Sequence, residues 1–254
     1  PYTTLFRSDA VGATATEKAG KSRNPVAVEP GRYTVVLEPT AVGNLIPIIA
    51  RSAQARSADE GRSFFSKPGG GNKIGMKVAD ERVTLVSDPA DNVGSSVTPD
   101  GRPTEKVVFI ENGILRNLNY DRFWAQKQGK QPTGLAFACM RLMGGDSSIP
   151  QMIASTERGI LVTRFWYIRP VDQRTILFTG LTRDGTFLIE NGKVTHAIKN
   201  FRYNESPIFM LNNVEAFGAP VRVSASEDSS PGAAIIMPPL KVRDFNFTSL
   251  SDAV

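Results

Sequence analysis

Glu38, Thr40 and Asn44 stand where a β-branched run stops and an apolar pattern of helical spacing begins, in VVLEPTAVGNLIPII (35–49). A strand handing over to a helix can mount catalytic groups, and this one offers a carboxylate, a hydroxyl and an amide. Neither His nor Cys is among them: the chain has one of each, His196 and Cys139. A serine hydrolase would draw on GGDSS (144–148), but Ser147 lacks the second Gly of a nucleophile elbow. His196, its only available base, alternates with Val194 and Ile198 and reads as a packed or surface strand residue. Cys139 in LAFACMRLM reads as a buried small hydrophobe. A catalytic zinc needs three protein ligands, mostly His or Cys, so at least one would have to be a carboxylate here. No D-x-D-x-D-G spacing supports a calcium loop. SKPGGGNKIG (66–75) lacks P-loop spacing and reads as a mobile loop.

The elements that must position these groups are mostly extended. RYTVVLE (32–38) and RVTLVSDP (82–89) have strand composition, as do ILVTRFWYI (160–168) and TILFTGLT (175–182). Helical spacing follows Ala41, and Pro47 either kinks that helix or sits in a first turn capped by Asn44. VVFIENGILRNLNY (107–120) and TFLIENGKVTHAI (186–198) each place Asn-Gly between apolar alternations, the signature of a type I′ hairpin. IPQMIASTERG (149–159) and PIFMLNNVEAFG (207–218) read as short helices stopped by Gly159 and Gly218. AAIIMPPLKVRDFNF (233–247), broken by Pro238 and Pro239, reads as an edge strand. The expectation is an α+β fold, a large mostly antiparallel sheet with hairpins and a few packed helices.

PYTTLFRS (1–8) fits nothing after it and back-translates to the end of a sequencing adapter. It is therefore expected not to be native, and the missing initiator Met agrees with an upstream region having been cut away. Residues 9–31 read as the tail of a lost helix and a linker, and 32–254 as one domain. No signal peptide or run of membrane-spanning length occurs, so the expected compartment is the cytoplasm, with no membrane partner. The formal charge of +5 and the aromatic-basic stretch RNLNYDRFWAQKQGK (116–130) raise single-stranded nucleic acid as a partner. No groove-reading motif accompanies it, and the stretch reads as a strand end and a short helix with buried aromatics, so nucleic acid is not expected.

Segments in a fixed order then carry a family resemblance: SRNPVAVEPGRYTVVLEPTAVGNLI, GRSFF, RVTLVSDP, GILRNLNYDRFWA, ASTERGILV, GTFLIENGKVTHAIKNFRYNES and NNVEAFG. From about Arg23 to Leu240 the chain resembles the C-terminal domain of the TldD/PmbA metallopeptidase family, whose members are also labelled modulators of DNA gyrase. The resemblance implies the family's α+β domain, an absent N-terminal domain, and two kinds of subunit. TldD-type subunits carry H-E-x-x-x-H on the helix after the first strand, completed as a zinc site by a Cys near the C-terminus. Here Pro39, Thr40 and Asn44 stand at the His, Glu and His positions, and Ser226 or Glu227 stands near the Cys position. The chain is thus similar to the PmbA/TldE-type subunit. That implies no catalytic residue, metal or cofactor of its own, zinc in a TldD-type partner, and a heterodimer or homo-oligomer that holds a peptide. ILVTRFWYIRP, with Arg164 and Trp166, is the expected edge for that peptide. Two alternatives stay open: a self-sufficient peptidase using His196, Glu38 or Glu227, and a DNA- or topoisomerase-binding protein.

Overall fold

The computed structural model describes residues 8–91, 97–98, 100–133, 139–224 and 234–251. After helix α1 (Ser8–Lys21), strand β1 (Gly31–Leu37) runs into helix α2 (Pro39–Ser52). The short helix α3 (Ala55–Asp59), strand β2 (Leu85–Ser87) and the hairpin β3 (Val107–Glu111) and β4 (Ile114–Leu115) follow, then α4 (Arg122–Lys127), β5 (Cys139–Leu142) and α5 (Ile149–Ala154). Two long strands, β6 (Arg158–Asp172) and β7 (Leu177–Glu190), precede β8 (Lys193–Ala197), β9 (Phe201–Glu205), α6 (Pro207–Asn212) and β10 (Val214–Phe217). The described chain ends with β11 (Val221–Val223), β12 (Ala234–Met237) and β13 (Leu240–Leu250). The α+β expectation holds, with most strand pairs antiparallel and parallel pairs at β1–β6 and β12–β5.

The strands form two sheets. In the first, β1, β6, β7, β9 and β13 pair in sequence, and β13 pairs back onto β1, which closes a ring. Strand β8 attaches to β7 and β10 to β13. Buried aromatics fill its core: Phe165 stacks on Phe245 with centroids 5.4 Å apart and lies 4.7 Å from Tyr203, and Phe201 stacks on Phe247 at 4.8 Å. The second sheet has the order β11-β12-β5-β2-β3-β4.

Helix α2 packs on β1 and β6 of the first sheet and on β11 and β12 of the second. Every residue from Ala41 to Ala50 is buried, the pattern of a helix covered all round. Gly43 permits the close approach. A Cβ there would lie 2.8 Å from Val223 Cγ2, inside any tolerable contact.

Both Asn-Gly turns form as expected, with positive φ at Asn112–Gly113 and Asn191–Gly192. Other local expectations need correction. Pro47 lies inside α2, Pro39 takes its first turn and Glu38 its N-cap, so Asn44 is an interior residue and no cap. Gly159 stops no helix but begins the parallel contact of β6 with β1, where a Cβ would meet Thr34 O at 2.5 Å. Val214–Phe217 is a strand, because its backbone pairs with β13 and the helix ends at Asn212. Pro238 and Pro239 lie between two strands that are not edges: β12 sits between β11 and β5, and β13 between β1 and β9. Of residues 9–31, expected as the tail of a helix and a linker, 9–21 are helical. The loop 66–75 is tied down, since Asn72 Nδ2 donates to Asp59 Oδ1 at 2.6 Å and to Tyr120 Oη at 3.2 Å. No helix among the described residues is long and apolar enough to cross a membrane.

Candidate functional site

Strand β1 delivers Glu38 to the first turn of α2, with its N–H donating to Val162 O at 3.0 Å. Its carboxylate does not cap the helix. It takes an ion pair from Lys18 of α1, both side chains being largely withdrawn from water, and Lys18 Nζ also donates to Thr163 Oγ1 at 3.3 Å. Pro39 brings a side chain with no donor atom, and Thr40 is half-buried beside it. One helical turn further on, Asn44 is 6% exposed. Its Oδ1 accepts the Phe165 N–H at 2.9 Å, and its Nδ2 is buried without a hydrogen-bond partner among the described residues. That bond orients the amide, because only the oxygen can face a backbone donor.

Asn44 reaches β6 at the point where the strand loses a neighbour. Gly159–Val162 lies between β1 and β7, whereas from Arg164 onward β7 is the one strand among the described residues that pairs with β6. Arg164 and Trp166 project together there, the guanidinium 4.6 Å above the indole ring and Nη1 2.9 Å from Asp184 Oδ2.

Other candidate residues lie apart from this junction. His196 is exposed on β8 opposite Leu188 of β7, and Cys139 is fully buried in β5 of the other sheet. Ser147 donates its N–H to Phe217 O at 3.1 Å beside the bend at Asp146, a backbone role. Ser226 and Glu227 fall outside the described residues. Among the described residues, no group of three or more His, Cys, Asp or Glu side chains is placed to hold a metal ion. In the aromatic-basic stretch, Tyr120 and Trp124 are buried and only Phe123 is exposed. Trp124 Nε1 donates to Asp59 Oδ2 at 2.7 Å and Lys130 Nζ to Tyr120 Oη at 2.8 Å, so these rings are bound inward and unavailable for base stacking.

Sequence reasoning missed Lys18, which the fold brings to Glu38, and Thr163 and Arg183, which line a cleft with Lys18. Lys18 and Thr163 are 145 residues apart, and no local spacing signals such a meeting. A cleft of about 770 Å³ opens beside them, walled by α1 on one side and by residues of β7 and the β8–β9 connection on the other.

Residues 30–249 match the model of the PmbA/TldA metallopeptidase C-terminal domain. A metalloprotease of Methanothermobacter thermautotrophicus is 25% identical over 244 residues, covering 89% of this chain and 51% of that protein. A metalloprotease TldD homolog of Buchnera aphidicola is 28% identical, covering 74% of this chain and 41% of that one. The fold matches the crystal structure of TldE from Thermococcus kodakarensis, with a TM-score of 0.78, 20% identity, and 95% of this chain and 55% of that chain covered. The chain thus spans about half the length of the relatives it matches.

Proposed function

We propose that this chain, which belongs to the PmbA/TldA metallopeptidase C-terminal domain family, serves as a TldE/PmbA-like subunit of a TldD/TldE-type peptidase complex. In this reading it acts on small or unfolded peptides and leaves the hydrolytic chemistry to a TldD-type partner, where zinc would activate water.

The observation that carries the reading is the commitment of the junction's own groups. Zinc takes Cys sulfur, His nitrogen and carboxylate oxygen. Pro39 has no ligand atom, the Asn44 oxygen is spent on the Phe165 N–H, and the Glu38 carboxylate is held by a lysine. The donor set at 39, 40 and 44 does not fit a zinc ion, so no reaction step is assigned to this chain. What it retains is a rigid strand–helix frame, with Arg164 and Trp166 beside the stretch of β6 that lacks a second strand neighbour. An extended peptide laid along such an edge gains main-chain hydrogen bonds with little demand on sequence.

The test is peptide hydrolysis by this chain alone and mixed with a TldD-type chain. Activity confined to the mixture supports the proposal, and activity equal with and without the added chain defeats it. For the edge, replacing Arg164 and Trp166 by Ala in the active mixture should raise KM several-fold; an unchanged KM in folded variants would end that assignment.

A further inference from the structure

The cleft beside Glu38 has a shape and charge that the frame alone does not require. Its 770 Å³ volume lies within the ordinary range of ligand sites. Its apolar lining is mostly small: Ala15 and Ala19 from α1, Pro25, Ala197 at the end of β8 and Ile198 just after it. Among the described residues, its basic lining is Lys18, Arg183 and Lys199 and its acidic lining is Asp184. Asp184 is engaged by Arg164 at 2.9 Å and Lys18 by Glu38, so neither brings an unmatched charge to the cleft. Arg183 is half-buried, and its guanidinium makes no ion pair or side-chain hydrogen bond among the described residues.

A bulge explains why Arg183 faces differently from its neighbour. Val162 pairs with Thr186 and Arg164 with Arg183, so the single residue Thr163 stands opposite both Asp184 and Gly185. These two residues have φ of 57° and 117°. A Cβ on Gly185 would meet the Phe187 ring at 2.8 Å and Thr163 Oγ1 at 3.1 Å, which leaves glycine as the residue that fits. Such an insertion re-aims side chains. Here Asp184 returns to Arg164, and Arg183 is left lining the cleft.

We infer that this cleft binds the C-terminal carboxylate of a short peptide with small apolar side chains, and that Arg183 is its anchor. The inference rests on the peptide-handling reading above and adds a site and a polarity to it. A guanidinium offers a planar fork that matches a carboxylate bidentately. The small apolar lining suits an organic chain behind that group rather than a bare inorganic anion.

The experiment is calorimetric titration of the 254-residue chain with a tetrapeptide of alanine and valine, as the free acid and as the C-terminal amide, with inorganic phosphate as a third probe. The free acid should bind about tenfold more tightly than the amide, the scale expected for a charge-assisted bidentate contact. Arg183→Ala should erase the difference between acid and amide, Arg183→Gln should do the same, and Arg183→Lys should keep part of it. Equal binding of acid and amide overturns the inference, as do a preference that survives Arg183→Ala and phosphate binding as tight as the free acid. The two readings fail separately. An Arg183-dependent preference in a chain that never supports a TldD-type partner would leave the site and remove the subunit role. A working mixture, equally active with Arg183→Ala on free acids and amides, would leave the role and remove the site.

Discussion

Lys18→Ala should release α1 from the body while leaving both sheets intact. Between Asp9 and Lys21, Lys18 is the only residue that is not exposed, so apolar packing holds this helix weakly. An isolated helix of 14 residues is marginal in water, which leaves docking as its main support. The Lys18 and Glu38 side chains are 25% and 17% exposed. Opposite charges near contact at an effective dielectric constant of about 20 attract by about 4 kcal/mol before desolvation is subtracted. A hydrogen bond to a charged group retains about 1.5–3 kcal/mol of net stabilisation. Allowing for the partial exposure, the loss is about 2 kcal/mol, which corresponds to a factor of about 30 in the docking equilibrium. Hydrogen exchange resolved by mass spectrometry should show amides in 9–21 exchanging about 30-fold faster, with β6, β7 and β13 unchanged. Unaltered exchange in α1 would refute the single-anchor account. Acceleration throughout the chain would show instead that the pair supports the whole fold.

Three further outcomes follow from other contacts. Gly43→Ala sets an overpacking cost of about 1–3 kcal/mol against a helix-propensity gain of about 1 kcal/mol. Scanning calorimetry should therefore show a melting temperature lower by about 3 °C, and a rise would mean that α2 packs loosely on β11 and β12. Asn44→Leu leaves the Phe165 N–H without an acceptor but also removes a buried partnerless Nδ2. The two costs, each about 1–3 kcal/mol, nearly cancel, and urea denaturation should place the variant within about 1 kcal/mol of the parent. Glu205 accepts the N–H groups of Ser206 at 2.8 Å and Asn246 at 3.1 Å, yet burial outweighs them and pushes its carboxyl above the usual carboxylate range. Its folded-state pKa being raised, its stabilising share is complete below the unfolded value and lost as pH rises through the folded one. The advantage of the parent over Glu205→Gln should thus be larger near pH 4 than near pH 7, and a widening gap toward pH 7 would contradict the burial argument.

What could be read from the sequence was local. Asn112–Gly113 and Asn191–Gly192 announce their hairpins because only two positive-φ residues close such a turn, whatever surrounds it. The β-branched content of β1 and β6 likewise decides their conformation. Gly159 and Gly218 misled because glycine marks helix ends and close backbone contacts equally well, and at Gly159 the reason is the approach of Thr34. Val214–Phe217 reads as helical by composition, but pairing with β13, supplied from the far end of the chain, decides otherwise. The site follows the same division. The poverty of ligands at Pro39, Thr40 and Asn44 is visible in the residue types themselves. What Asn44 does instead depends on Phe165, 121 residues away, and the charge on Glu38 is met by a helix that no spacing connects to it.

In the proposed role this strand–helix junction frames an active site without supplying its metal ligands. The most direct measurement is the zinc content of the purified chain after incubation with excess zinc and removal of loosely held ion, taken together with peptide hydrolysis in the absence of any partner. The expected result is no stoichiometric zinc and no hydrolysis. One zinc per chain with chelator-sensitive cleavage would contradict it and would turn attention to His196 and the carboxylates around it.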